Sequence, residues 1–229
     1  MKDLATPVDE PKSETELLAR ARALSGYTLG EVGAQLGIQV RTSGVHAKGL
    51  AGQLLEKALG ATASSRAEPD FLSLGVELKT IPLDPGGKPK ESTFVCSISL
   101  PSMVDTDWER SSAWKKLRKV LFVPVEAASA TPLRDRRVGR AFIWCPTAAE
   151  EAELRADWEH LAALIAAGEV DTITGHLGSA LQVRPKAASG GSRRRAPDEE
   201  GALQWTMPRG FYLRPSFTLR VLARLRQSD

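Results

Sequence analysis

The stretch EPDFLSLGVELKTIP, residues 68–82, places Asp70, Glu77 and Lys79 among apolar neighbours that could form a core. In an extended chain Glu77 and Lys79 share one face, and Asp70 stands just ahead of them. Two carboxylates at a strand edge suit Mg2+, a hard cation that takes carboxylate oxygens and keeps several waters. A lysine beside them can orient or deprotonate a water, or stabilise charge growing on a phosphate. Together these parts meet the needs of metal-assisted phosphodiester hydrolysis. The plainer alternative is a turn aspartate followed by a surface ion pair, and for the bare Asp-x6-Glu-x-Lys pattern it is the commoner outcome. The strand context and the apolar flanks favour the chemical reading.

The elements that must position these residues are legible nearby. Ser13 to Glu16 reads as a capping box opening a helix that stops at Gly26. Thr28 and Glu31 repeat the device for a short second helix, and GLAGQLLEKALG predicts a third that ends at Gly60. The alternation in LGVELKTIPL predicts a strand, and DPGGK (residues 84–88) supplies turn residues for a hairpin returning through STFVCSISL. No Gly-Lys-Ser/Thr follows the glycine pair, so a phosphate loop is excluded. KVLFVPVE, GRAFIWCP and SALQVRP read as further strands. Thr147 and Glu150 cap a long acidic helix closed by Gly168, and SFTLRVLARLRQ is a C-terminal amphipathic helix. AASGGSRRRAPDEEG, low in apolar residues, reads as a mobile loop. The class is mixed α/β.

The 229 residues, 42% hydrophobic and 26% charged, are enough for one large domain or two small lobes. No apolar run approaches the roughly 18 residues of a membrane span. The N-terminus has no apolar signal-peptide core, and the chain reads as cytoplasmic. Cys96 and Cys145 lie in apolar runs and read as reduced core residues, and His46, His160 and His176 as non-catalytic. The net charge of +3 is unevenly spread: −4 over residues 1–109, +7 over 110–140, −6 over 141–183 and +6 over 184–229. Two basic blocks around an acidic one fit a polyanion-binding surface, though ordinary surface charge gives the same pattern.

Pro69-Asp70 with Glu77-Leu78-Lys79 resembles the PD-(D/E)xK motif of many restriction enzymes. LSGYTLGE, DFLSLGVELKTIP, TFVC, KKLRKVLFVPVE, RRVGRAF, LQVRPKAA and MPRGFYLR resemble, in order and spacing, the MutH family of strand-nicking endonucleases, over roughly residues 14–226. The resemblance implies a restriction-endonuclease-like central mixed sheet flanked by helices, with two lobes around a DNA cleft. It implies a single MutH-type domain over 1–229, with a flexible tail at about 1–13 and a flexible loop at about 187–203. It further implies Mg2+-dependent nicking of the unmethylated strand at hemimethylated GATC sites in methyl-directed mismatch repair. The partners implied are double-stranded DNA, MutL as activator and MutS indirectly, with the enzyme a monomer. Asp70, Glu77 and Lys79 take the catalytic positions, the two carboxylates holding metal. Glu56 matches a carboxylate near the metal site and Lys116 a lysine linked to the active centre. Lys48, Phe94, Arg184, Lys186 and Tyr212 match positions tied to DNA contact.

Taken singly, those residues leave alternatives open. Tyr212 could be packing, or an aromatic wall in the major groove with Arg209 and Arg214 holding its segment to phosphates. Arg184 and Lys186 could be phosphate contacts that position without specifying. Phe94 could be core, and Lys48 a solvated lysine. The stretch 189–206, with Trp205, departs from the family pattern. A restriction enzyme of the same fold cutting both strands, or a non-catalytic DNA-binding module, are the alternatives. The intact Asp/Glu/Lys set argues against the last.

Overall fold

A computed structural model describes residues 8–40, 49–63, 68–99, 107–186, 194–197 and 203–228. Its helices are α1 (Glu14–Ala23), α2 (Leu29–Gln35), α3 (Leu50–Leu59), α4 (Ser112–Leu117), α5 (Ala148–Ala166) and α6 (Pro215–Gln227). Its strands are β1 (Glu77–Leu83), β2 (Thr93–Ser97), β3 (Val120–Glu126), β4 (Phe142–Trp144), β5 (Leu181–Pro185), β6 (Arg194–Pro197), β7 (Leu203–Thr206) and β8 (Arg209–Leu213). The chain divides into two compact units. One comprises Met1–Glu91, Lys119–Cys145 and Leu225–Asp229, the other Ser92–Arg118 and Pro146–Arg224. The mixed α/β class holds.

The first unit begins with the capped helices. Ser13 Oγ accepts from Glu16 N, but the Glu16 carboxylate accepts from Lys12 N at 2.8 Å, one residue further out than a capping box requires. At α2 both arms form: Thr28 N donates to Glu31 Oε2 at 2.7 Å and Glu31 N to Thr28 Oγ1 at 3.2 Å. Gly60 ends α3 at φ +80, where a Cβ would lie 2.3 Å from Asp9 O, so glycine is required twice over. β3 runs parallel to β1, Glu77 opposite Val120, and antiparallel to β4, giving the order β1-β3-β4. Its six residues before Glu126 are all buried, which explains why it reads as a continuous apolar run. Leu17, Leu29, Leu54, Leu55, Phe71, Val76, Leu78 and Leu121 share one core, which joins α1, α2 and α3 to β1 and β3.

The predicted hairpin does not form. The DPGGK turn closes, with Gly87 N on Asp84 O and Lys88 N on Asp84 Oδ1, both at 2.9 Å. The return goes no further than Lys90 N on Pro82 O. Pro82 and Pro89 have no N–H to give, so the ladder cannot propagate. β2 belongs instead to the second unit.

There it forms an antiparallel sheet in the order β2-β8-β5. α5 starts with the expected Thr147/Glu150 capping box. From its middle, Asp157 Oδ2 accepts from Ser179 N, Ala180 N and Leu181 N at 2.9, 2.7 and 2.8 Å, which fixes where β5 starts. Trp108 packs between Trp114 of α4 and Trp158 of α5, with centroids 5.2 and 5.9 Å away. β6, within the stretch read as a loop, pairs with β7 beyond it as a two-stranded ribbon. Cys96 is buried as expected. Cys145 is exposed, because the short β4 ends one residue before it.

The α2 cap yields a prediction. Bonds from the Thr28 backbone N–H, then from its hydroxyl, hold the Glu31 carboxyl below its ordinary value of 4.5. A depressed carboxylate contributes stability above its unfolded value and loses it as pH falls through the folded one. Urea unfolding should therefore show wild type losing stability below pH 4.5 more steeply than Glu31→Gln. At neutral pH, Thr28→Ala should cost about 1 kcal/mol.

Candidate active site

Asp70, Glu77 and Lys79 meet because the six residues between the acids turn back on themselves. Phe71 and Val76 exchange backbone hydrogen bonds, N to O at 2.9 and 3.3 Å, around a turn that contains Gly75 at φ +63. The Asp70 carbonyl also accepts from Thr62 N and Ala63 N, tying it to the segment after α3. Asp70 is thereby laid beside the start of β1, where its Oδ2 accepts from Leu78 N at 2.9 Å. Glu77, the first residue of β1, places its Oε1 2.6 Å from Lys79 Nζ. Both carboxylates are buried, Asp70 at 7% and Glu77 at 3% exposure. Neither residue is the exposed turn or surface pair of the plainer reading.

The electrostatics follow from the burial. Carboxylates out of water need hydrogen bonds and opposite charge. With all three groups ionised, two acids and one ammonium carry one negative charge in excess. The donor set is hard oxygen beside a cation, which fits a divalent metal of the Mg2+ kind. Asp70 and Glu77 are the residues that would hold it.

The other expected residues are placed as follows. Glu56 is half-buried on α3, and a Cβ on Gly52 would lie 3.9 Å from its Oε1 and 3.8 Å from Thr80 Oγ1. The carboxylate therefore lies on the side of α3 that meets β1 near Thr80. Among the described residues, no group of three or more His, Cys, Asp or Glu is gathered at metal-binding spacing. Lys116 is buried on α4 of the second unit, behind a helix start where Ser111 Oγ accepts from Trp114 N.

Phe94, Arg184, Lys186 and Tyr212 come together on one face of the β2-β8-β5 sheet. Tyr212, on the central strand, stands opposite Phe94 on one side and Gln182 on the other. The Phe94 and Tyr212 rings meet edge to face at 5.3 Å. Arg184 Nη1 donates to Ser92 Oγ at 3.1 Å, and Lys186 Nζ donates to Ser97 Oγ at 2.8 Å while lying 4.1 Å from the Phe94 ring centroid. Leu181, Val183, Phe211 and Leu213 turn to the other face and are buried. Lys48 and His46 lie outside the described residues.

Arg209 and Arg214, the two arginines that flank the Tyr212 segment, both bond to the chain itself. Arg209 is 5% exposed, with Nη2 on Asp171 Oδ1 at 2.8 Å. Arg214 Nη2 donates to the carbonyls of Gly175 and Leu177 at 2.8 and 3.1 Å. Both staple the α5–β5 connection to the ends of β8. Sequence reasoning missed Ser92, Ser97, Gln182 and Gly210. The alternation Gln182, Arg184, Lys186 in LQVRPK was the available signal for the glutamine. The other three need the strand register.

A family model described as DNA mismatch repair enzyme MutH matches residues 59–157, the span that holds Asp70, Glu77, Lys79, Phe94 and Lys116. A DNA mismatch repair protein MutH from Klebsiella pneumoniae strain 342 is 47% identical over 224 residues, covering 98% of this chain and 97% of the relative. Those of another Klebsiella pneumoniae strain and of Salmonella paratyphi B are each 48% identical over 221 residues, covering 96% of this chain and 94% of theirs. Identity of this degree along nearly the whole of both chains, with the Asp/Glu/Lys cluster inside the matched region, means that the protein belongs to the MutH family of DNA mismatch repair endonucleases.

Proposed function

We propose that the protein nicks the unmethylated strand of hemimethylated GATC sites by Mg2+-dependent phosphodiester hydrolysis. It acts as a cytoplasmic monomer that MutL activates after MutS has met a mismatch. The observation that carries the hydrolytic part is the buried Asp70–Glu77 pair with Lys79 Nζ held 2.6 Å from Glu77. No helix among the described residues is long and apolar enough to cross a membrane. When bound, Mg2+ supplies a Lewis acid for the scissile phosphate and a more acidic water. Asp70 and Glu77 would hold it. Lys79, its ammonium aligned by Glu77, orients the attacking water and stabilises charge developing on phosphate oxygens. Glu56 and Lys116 support the centre, and Lys48, Phe94, Arg184, Lys186 and Tyr212 contact the duplex.

Methylation reading falls to Tyr212. A ring against adenine N6 accepts the unmethylated amine, while an added methyl collides with it and replaces a donor hydrogen. The edge-to-face contact with Phe94 supports that role by holding the ring in one orientation.

Asp70→Ala and Glu77→Ala should each abolish nicking of a hemimethylated duplex while DNA binding, measured by gel shift without metal, stays within a few-fold of wild type. Normal turnover by either variant would overturn the metal assignment. Lys79→Ala should lower single-turnover nicking by roughly 10²–10⁴-fold. Lys79→Arg should fail as well, because a guanidinium fits differently and gives up no proton near neutral pH. A fully active arginine variant would reduce the role to that of a positive charge.

Tyr212→Ser should keep nicking of unmethylated GATC but narrow the preference for the unmethylated strand. The loss should be worth about 1–3 kcal/mol, roughly 5- to 150-fold in strand choice. Sequencing of the nicked strands gives the answer. Wild-type discrimination by this variant would move methylation reading elsewhere, and cleavage of both strands by wild type would favour a restriction enzyme of the same fold.

A further inference from the structure

Arg184 and Lys186 are exposed, and an exposed long side chain normally loses rotamer freedom when a ligand fixes it. Here both are already engaged. They lie at the end of β5, yet their partners are at the opposite edge of the sheet, Ser92 just before β2 and Ser97 its last residue, with β8 between. At the crossing point β8 presents Gly210, which is opposite Arg184 on one side and Ser97 on the other. A Cβ there would lie 2.9 Å from Phe94 Cε2 and 3.0 Å from Cys96 O, so the missing side chain leaves the space in which the Phe94 ring sits. Gln182, 4% exposed, donates from Nε2 to Ser92 Oγ at 2.6 Å. That bond fixes the oxygen that Arg184 uses.

We infer that Ser92 and Ser97 are positioning residues for DNA binding. Ser92, set by Gln182, holds the Arg184 guanidinium, and Ser97 holds the Lys186 ammonium beside Phe94. Both cations then meet the duplex with part of their ordering already done. The inference rests on the proposed assignment of Arg184 and Lys186 to duplex DNA. It adds residues that touch no reacting atom and act only through those two side chains.

The experiment measures affinity and single-turnover nicking on a hemimethylated duplex with one GATC site. Ser92→Ala should raise Kd by about 3- to 10-fold, the effect of one hydrogen bond of ordinary net strength, with the nicking rate of bound DNA unchanged. Ser92→Thr, which keeps the hydroxyl, should restore the affinity. Ser97→Ala should repeat the pattern through Lys186. In an Arg184→Ala background Ser92→Ala should have no further effect. The salt dependence of binding should flatten for Arg184→Ala but not for Ser92→Ala, which removes no charge. Urea unfolding of each variant guards against a general loss of structure, and Ser97→Ala tests the same idea independently if Ser92→Ala folds poorly. Wild-type affinity in both serine variants while Arg184→Ala binds weakly would overturn the positioning role and leave the DNA assignment standing. Additive losses in the Ser92→Ala, Arg184→Ala double variant would also overturn it, since Ser92 would then act by another route. Unchanged affinity in Arg184→Ala and Lys186→Ala would remove the DNA assignment itself, and the positioning role with it.

Discussion

Two carboxylates kept out of water at the start of β1 are the constraint around which the first unit is arranged. Glu77 is held by the Lys79 ammonium, and Asp70 by the Leu78 amide. The first contact lies within β1 itself, whereas the second exists only because the chain from Phe71 to Val76 closes on itself against a straight, supported β1. Parallel pairing with β3, buried from Val120 to Val125, gives the straightness. The helical core on the Val76 and Leu78 side gives the support. Each apolar contact in that core thus also fixes the place of a charge, since an acid buried without its partners would destabilise the unit by several kcal/mol.

The second unit handles charge the opposite way. Its candidate DNA face keeps Arg184 and Lys186 in solvent and limits their freedom with neutral hydroxyls. Its buried guanidinium, Arg209, serves the chain itself by clamping the α5–β5 connection to β8. Arginine in one short strand neighbourhood therefore does two unlike jobs. Burial, which composition cannot reveal, separates them.

That contrast shows what was legible in the sequence. Capping boxes, glycine stops and the acid–acid–lysine spacing depend on residues within a few positions of one another, and α1, α2, α3 and α5 stand where those signals put them. Partners far along the chain were not legible. The glycine-rich turn after β1 was taken for a hairpin because its local chemistry is that of one, and only the choice of β3 and β8 as partners reveals otherwise. α4 is too short to show a period. β8 begins with a buried arginine and a glycine, neither of which marks a strand. Cys145 was misplaced by one residue at a strand end. The grouping of Phe94, Arg184, Lys186 and Tyr212 on one face is a property of register alone.

The order in which strands find partners has a consequence during synthesis. β1 leaves the ribosome before β2 but pairs with β3, and β2 must wait for β8, Thr93 joining Leu213. At about 5–20 residues per second, that wait lasts many seconds, with an unpaired apolar strand exposed. β8 is also the middle strand, so a nascent chain stopped short of residue 209 holds β2 and β5 with nothing between them. Early termination therefore leaves the second unit without the strand that joins its two edges, while the strands of the first unit have already emerged.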